Sequence, residues 1–357
     1  CCFFLMDLEV SLQYYTESLK ILVDFSNKTG GNNNLKLEIA SVKNGLCIVY
    51  DSLGSPLDAL DKGLHAVALR EELLPNSAEL ATSYNNLANV LAQIGDISGA
   101  LDYFHRAVAI WQNSVNLHGN LPNGLSNIGY LYFVIRETNA VLPYYTKALK
   151  MARAIHSNEH VDVARILTCM GDYYFHTSDI TEASKCYHEA LLINTKYYPP
   201  THIEFIYVEF RICLTESLLN NAPITTAIHL LDNAKTQHTQ SYIRPLDMEL
   251  AIAEYYLHKK LFVLAKAHFK EVLVLQKRYF PEATHLQAVT HTGLAKVYTE
   301  TGKPEKAPDH YQQAAELLKD DRTRCMVRLR QLIEDQQIES QAEEEQASPL
   351  RGPANYC

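Results

Sequence analysis

One spacing of residues recurs along this chain about every 42 positions, and it constrains the fold more than any other feature. From Ala81 the pattern runs Leu87, Ala88, Leu91, Gly95, Ala100, Phe104 and Ala107. It returns from Ala164 as Met170, Gly171, Tyr174, Ala183, Tyr187 and Ala190. From Ala288 it is Leu294, Ala295, Tyr298, Gly302, Ala307, Tyr311 and Ala314. Further copies begin at Ala40, Pro122, Val208 and Leu246. Ahead of them, Ser11, Tyr15 and Ser18 match only the second half of a unit.

Counted from the first residue of a unit, positions 7, 8 and 11 lie three and four apart, which is one face of a helix. Positions 20, 24 and 27 repeat that face on a second helix, and a Gly or polar pair such as Gly95-Asp96 or Ser178-Asp179 stands between. Small residues at positions 8 and 20 let two antiparallel helices approach closely. The ring at position 24 fills the gap toward the next pair, so most of the 22 tyrosines are expected to be packing. Neither sustained period-two alternation nor an Asn-Gly hairpin signal is present. The fold class is therefore all-α, a solenoid. Four local departures stand out: Thr215 at a small position, Gly63 at a ring position, and Pro143 and Pro308 within second helices, which they are expected to kink or shorten.

This pattern resembles the tetratricopeptide repeat, in the longer form found in kinesin light chains and nephrocystin, with Asn85-Asn86-Leu87-Ala88 opening a first helix. The resemblance spans roughly residues 8–318 and implies a right-handed superhelical solenoid of antiparallel helix pairs. Residues 1–30 then hold the second helix of an incomplete first unit, and 31–318 hold seven tandem pairs. Residues 319–340 read as a capping helix, and 341–357, with Glu343-Glu344-Glu345 and Pro349, as a disordered tail. Because the chain opens on Cys1 and in mid-unit, a longer parent chain is expected.

In such repeats the first helices line a concave face, which implies a docking surface for a protein or an extended peptide. Positions 2, 5, 9 and 12 point into it. In the early units these are Asn44 and Asp51, then Asn85 and Asn89; the next unit gives Asn123, Ser126 and Tyr130, and the one after it Arg165, Thr168 and Asp172. The later units give Glu209 and Glu216, then Asp247 and Glu254. The Asn-rich middle suits hydrogen bonding to a peptide backbone, or else bridges neighbouring helices. The later part carries four carboxylates with few matching cations, which favours a basic or amphipathic segment, or is simply a solvated acidic face. A clamp for a terminal carboxylate would need several basic residues, and only Arg165 stands there.

Other functions find little support. With 32 Lys+Arg against 41 Asp+Glu, a net charge of -9 argues against nucleic acid as partner. No apolar run approaches the length of a membrane span, so no membrane partner is expected. The eight cysteines show no Cys-x-x-Cys pairing, which fits a reducing, cytoplasmic setting without disulfides. There is no phosphate loop, nucleophile elbow or His-Glu-x-x-His, and so no cofactor is expected. His156 and His160 stand four apart, too few ligands to predict a metal. A non-enzymatic binding scaffold is the first reading. The second is a regulatory repeat region of a larger enzyme, for example an ADP-ribosyltransferase, whose catalytic domain lies outside this sequence.

Overall fold

The computed structural model describes residues 8–114, 118–135, 137–237, 243–281, 284–301 and 306–317, and every regular element among them is helical. The order is α1 (Leu8–Thr29), α2 (Asn33–Ser52), α3 (Pro56–Leu73), α4 (Ala78–Gln93), α5 (Ile97–Asn113), α6 (Leu121–Val134) and α7 (Thr138–Ile155). It continues with α8 (Val161–His176), α9 (Ile180–Tyr197), α10 (Ile203–Asn220), α11 (Thr225–Gln237), α12 (Ile243–His258), α13 (Phe262–Tyr279), α14 (Thr284–Glu300) and a last helix, α15 (307–317). From α2 to α13 the helices pack as antiparallel pairs stacked in chain order, α1 packs on α2, and α14 packs on α13. The sequence read as a capping helix and tail lies outside the described residues.

The pairs form where the sequence offers caps and turns. Ser77, Asp96 and Asp179 accept hydrogen bonds from the amides of Leu80, Gly99 and Glu182, satisfying donors that the first helical turn leaves free. The fifteenth position of a unit makes the turn between its two helices with positive φ: Gly54 at 73°, Gly95 at 91°, Ser178 at 68° and Lys260 at 58°. Glycine adopts that conformation freely, whereas Ser178 and Lys260 do so at a cost.

Packing repeats as the helices do. Position 20, 24 and 27 residues are buried in unit after unit: Ala100, Phe104 and Ala107; Val141, Tyr145 and Ala148; Ala183, Tyr187 and Ala190. Two of these rings, Tyr145 and Tyr187, seat on glycines. A Cβ on Gly171 would come within 2.6 Å of the Tyr187 ring, and one on Gly129 within 2.9 Å of Tyr145. Across units, Phe269 and Tyr15 lie in the same way on Gly293 and Gly45. Where Gly63 replaces a ring, Cys47 and Leu87 close over it. Thr215 is fully buried and returns its hydroxyl to the Ile212 carbonyl. Pro143 does not shorten its helix: α7 runs through it from Thr138 to Ile155. Pro308 sits in the first turn of α15, where its missing amide costs little.

Candidate functional site

The first helices of the pairs turn inward, and the stack curls until its early and late units face each other. One cavity of about 300 Å³ is walled by Asp51 of α2, Asn89 and Gln93 of α4, Asn127 and Tyr130 of α6, Leu246 and Asp247 of α12, and Leu286 of α14. A second, of about 120 Å³, is walled by Tyr130, Phe133, Asp172, His176, Tyr207, Arg211, Asp247 and Glu254. Tyr130, Val134, Asp247 and Leu286 belong to both, so the two form one channel. Tyr130 is 46% exposed, and that exposure is into this channel. Surrounding protein desolvates its phenol and pushes the pKa up, with Asp247 adding to the effect.

The inward positions divide between this channel and the seams between units. Asn89, Tyr130, Asp172 and Glu254, all at position 9, line the channel. The asparagines also bridge neighbouring units, those of the channel wall included. Asn44 Oδ1 accepts from Ser83 Oγ at 3.1 Å and from Asn86 Nδ2 at 3.2 Å. Asn127 Nδ2 donates to Asn85 Oδ1 at 3.4 Å and to Asn89 Oδ1 at 3.3 Å. Asn123 accepts from Arg165. Ser126 and Thr168 are buried in the helix packing, and Thr168 bonds the Ala164 carbonyl of its own helix.

In α10 the inward face differs from the one read from sequence. Neither Glu209 nor Glu216 lines the channel; Glu216 stands 3.6 Å from His188 on α9. Tyr207 and Arg211 occupy the inward face instead. A legible signal marks this register. His160 and His202 each cap a helix through Nδ1, accepting at 3.2 Å from the amides of Asp162 and Glu204. Aligning these two caps pairs Tyr207 with Arg165 and begins the unit two residues before Val208.

The channel's charges are also better matched than the sequence suggested. Asp172 accepts from Arg211 Nε at 2.7 Å, Tyr187 at 2.6 Å and Tyr207 at 3.0 Å. The Arg211 guanidinium lies 4.7 Å from the Phe175 ring centre, and its Nη1 has no hydrogen-bond partner. Arg244 grips Glu204 through two bonds of 2.8 and 2.7 Å and stands 3.7 Å from Asp247. Glu254 lies 3.2 Å from His176. The expected run of unmatched carboxylates is therefore corrected: Glu254 has a histidine, Asp247 an arginine and Glu216 a histidine. Burial still dominates for Asp247, whose pKa rises to about 6 although Arg244 opposes the shift. Asp51 also rises to about 6 through burial, and its Oδ1 has no hydrogen-bond partner.

Outside the channel, His156, His160 and Asp162 bring their ligand-type atoms within 4.8 Å of one another. Their bonds are those of a structural junction. His160 Nδ1 caps α8, His156 Nε2 meets the Gly119 carbonyl at 3.1 Å, and the two rings stack with centres 4.3 Å apart. His118 makes the same bond with the Asn120 amide at the start of α6. Among the described residues, no helix is long and apolar enough to cross a membrane.

The sequence profile of the tetratricopeptide repeat matches residues 38–113 and 246–320. No curated protein matches the sequence. Among solved structures, the chain is similar to the Rap conjugation gene regulator of plasmid pLS20 in complex with the Phr* peptide. There the TM-score is 0.61 at 11% identity, covering 83% of this chain and 78% of that one. It is similar to the apo quorum sensor NprR from B. thuringiensis, with a TM-score of 0.55 at 17% identity and 87% of each chain covered. It is also similar to BtubC (BKLC) from P. vanneervenii, with a TM-score of 0.51 at 16% identity, covering 66% of this chain and 92% of that one. At these identities the likeness is one of fold. The chain thus carries tetratricopeptide repeats at residues 38–113 and 246–320, within one stack of helix pairs.

Proposed function

We propose that this chain is a non-enzymatic scaffold that holds an extended segment of a partner protein, or a free peptide, inside its channel. The observation that carries the reading is the channel itself. It is walled by residues from α2 to α14 and combines apolar surface with side-chain amides, phenols and carboxylates. The pLS20 Rap regulator, similar in fold, was solved in complex with a peptide, which supports a peptide as the partner here. A basic or amphipathic segment suits the acidic walls best. An adaptor role of the kinesin-light-chain kind, in the cytoplasm, is the narrower form of this proposal.

Binding of fluorescent basic amphipathic peptides, followed by polarisation, tests it. Tyr130→Ala and Asn89→Ala should each weaken a bound peptide about tenfold, the effect of losing one buried polar or aromatic contact. Glu216→Ala, outside the channel, should leave affinity unchanged. Equal affinity in all three variants would place the peptide elsewhere and defeat the proposal.

A further inference from the structure

The walls of the channel specify more than a general liking for peptides. Among the described residues, the charged ones that line the larger cavity are Asp51 and Asp247, both acidic, with no Lys, Arg or His beside them. Asp51 Oδ1 is buried without a hydrogen-bond partner, and Asp247 is held by Arg244 only at 3.7 Å. Between the two carboxylates lies apolar surface, including Phe104, Leu131 and Phe280. A buried carboxylate with a free lone pair is stabilised by a donor, most of all by a cation. In the adjoining cavity the need is reversed. Arg211 is only 6% exposed, and Asp172 engages its Nε and Nη2, while Nη1 has no partner. That N–H calls for an acceptor. With Asp172 and Asp247 in the same walls, a neutral carbonyl oxygen is better tolerated there than a carboxylate.

We propose that the channel selects an extended peptide with a Lys or Arg side chain facing Asp247 where the two cavities meet. Its neighbouring large apolar side chain fills the larger cavity toward Asp51, and a backbone carbonyl accepts from Arg211 Nη1. This rests on the channel reading above and gives it a sequence preference. The same walls reject acidic segments, because a carboxylate placed in the larger cavity would meet two like charges and no cation. Tyr130 and Asp247 line both cavities, and Arg211 lines the smaller one.

Selection of random seven-residue peptides on the full chain provides the test, with synthetic N-acetylated copies of the selected peptides titrated afterwards. Wild-type protein should enrich Lys or Arg next to Leu, Ile, Phe or Met by about fivefold or more. Asp247→Asn should lose the basic enrichment but keep the apolar one, and Asp51→Asn should reduce the basic enrichment. Both replacements preserve shape, and circular dichroism checks that each variant folds. The acetylated copies should bind as the free ones do. Loss on acetylation would assign the cation to a terminal ammonium and overturn the side-chain assignment. Enrichment of apolar or acidic peptides without basic residues, or a profile unchanged in both variants, overturns the sequence preference while leaving the channel in use. Failure to enrich any peptide overturns the preference and the channel reading together.

Discussion

Asp172 shows how a single residue can serve both the fold and the channel. Its carboxylate gathers Arg211, Tyr187 and Tyr207 from α9 and α10. Removing one partner of a buried pair leaves the other charge uncompensated, so Asp172→Ala should cost about 3–5 kcal/mol, measured by urea unfolding. Asp51 is the opposite case. Its folded pKa of about 6 lies above the ordinary 3.8, so the folded chain holds a proton that the unfolded chain has already released. Its cost to stability is full above pH 6, shrinks as pH falls, and is gone below about pH 4. Asp51→Asn should therefore stabilise the protein at pH 7.5 by about 3 kcal/mol, with the gain fading between pH 6 and 4 in denaturant titrations. At Lys260, φ of 58° strains a side chain that glycine would lack. Lys260→Gly should raise the melting temperature, by an amount corresponding to about 0.5–1 kcal/mol.

Helices meet here through rings seated on glycines, and this is the level at which the sequence is most legible. Phe269 of α13 lies where a Cβ on Gly293 of α14 would collide with its ring. Gly293→Ala should cost about 1–3 kcal/mol through overpacking, and Phe269→Leu in the same chain should recover part of that loss. Additive losses in the four-protein cycle, read by thermal unfolding, would show that the two residues do not touch. Ring, small residue and turn were all readable because each follows from local sterics at a fixed spacing. The α10 face was not, since its motif is weak at Val208 and its register is set by the His202 cap and by Arg211 reaching Asp172. Helical periodicity alone tolerates a shift of a residue or two, and a shift of two puts Tyr207 at the inward position where Glu209 was read.

At the scale of the whole chain, the apolar core is continuous from Cys47 to Tyr255, while Ala253, Ala265, Phe269, Leu294 and Val297 form a separate, smaller cluster. In a stack held by nearest-neighbour contacts, the smaller cluster should open first. Amides of α13 and α14 should accordingly exchange with deuterium at lower denaturant than those of α4 to α9, and uniform protection would contradict it. The curl of the stack brings Asp51 and Asn89 opposite Asp247 and Leu286, far away in sequence. The all-helical class, the repeat length, the buried ring and small positions and the inward position 9 of four units (Asn89, Tyr130, Asp172 and Glu254) were all written in the sequence. All of these depend on spacing within one helix pair. Only the tertiary structure decided which inward residues meet across the channel, which asparagines bridge units and which carboxylates have a cation. Those outcomes depend on small rotations between successive pairs, which add up over the stack and leave no mark on any single repeat.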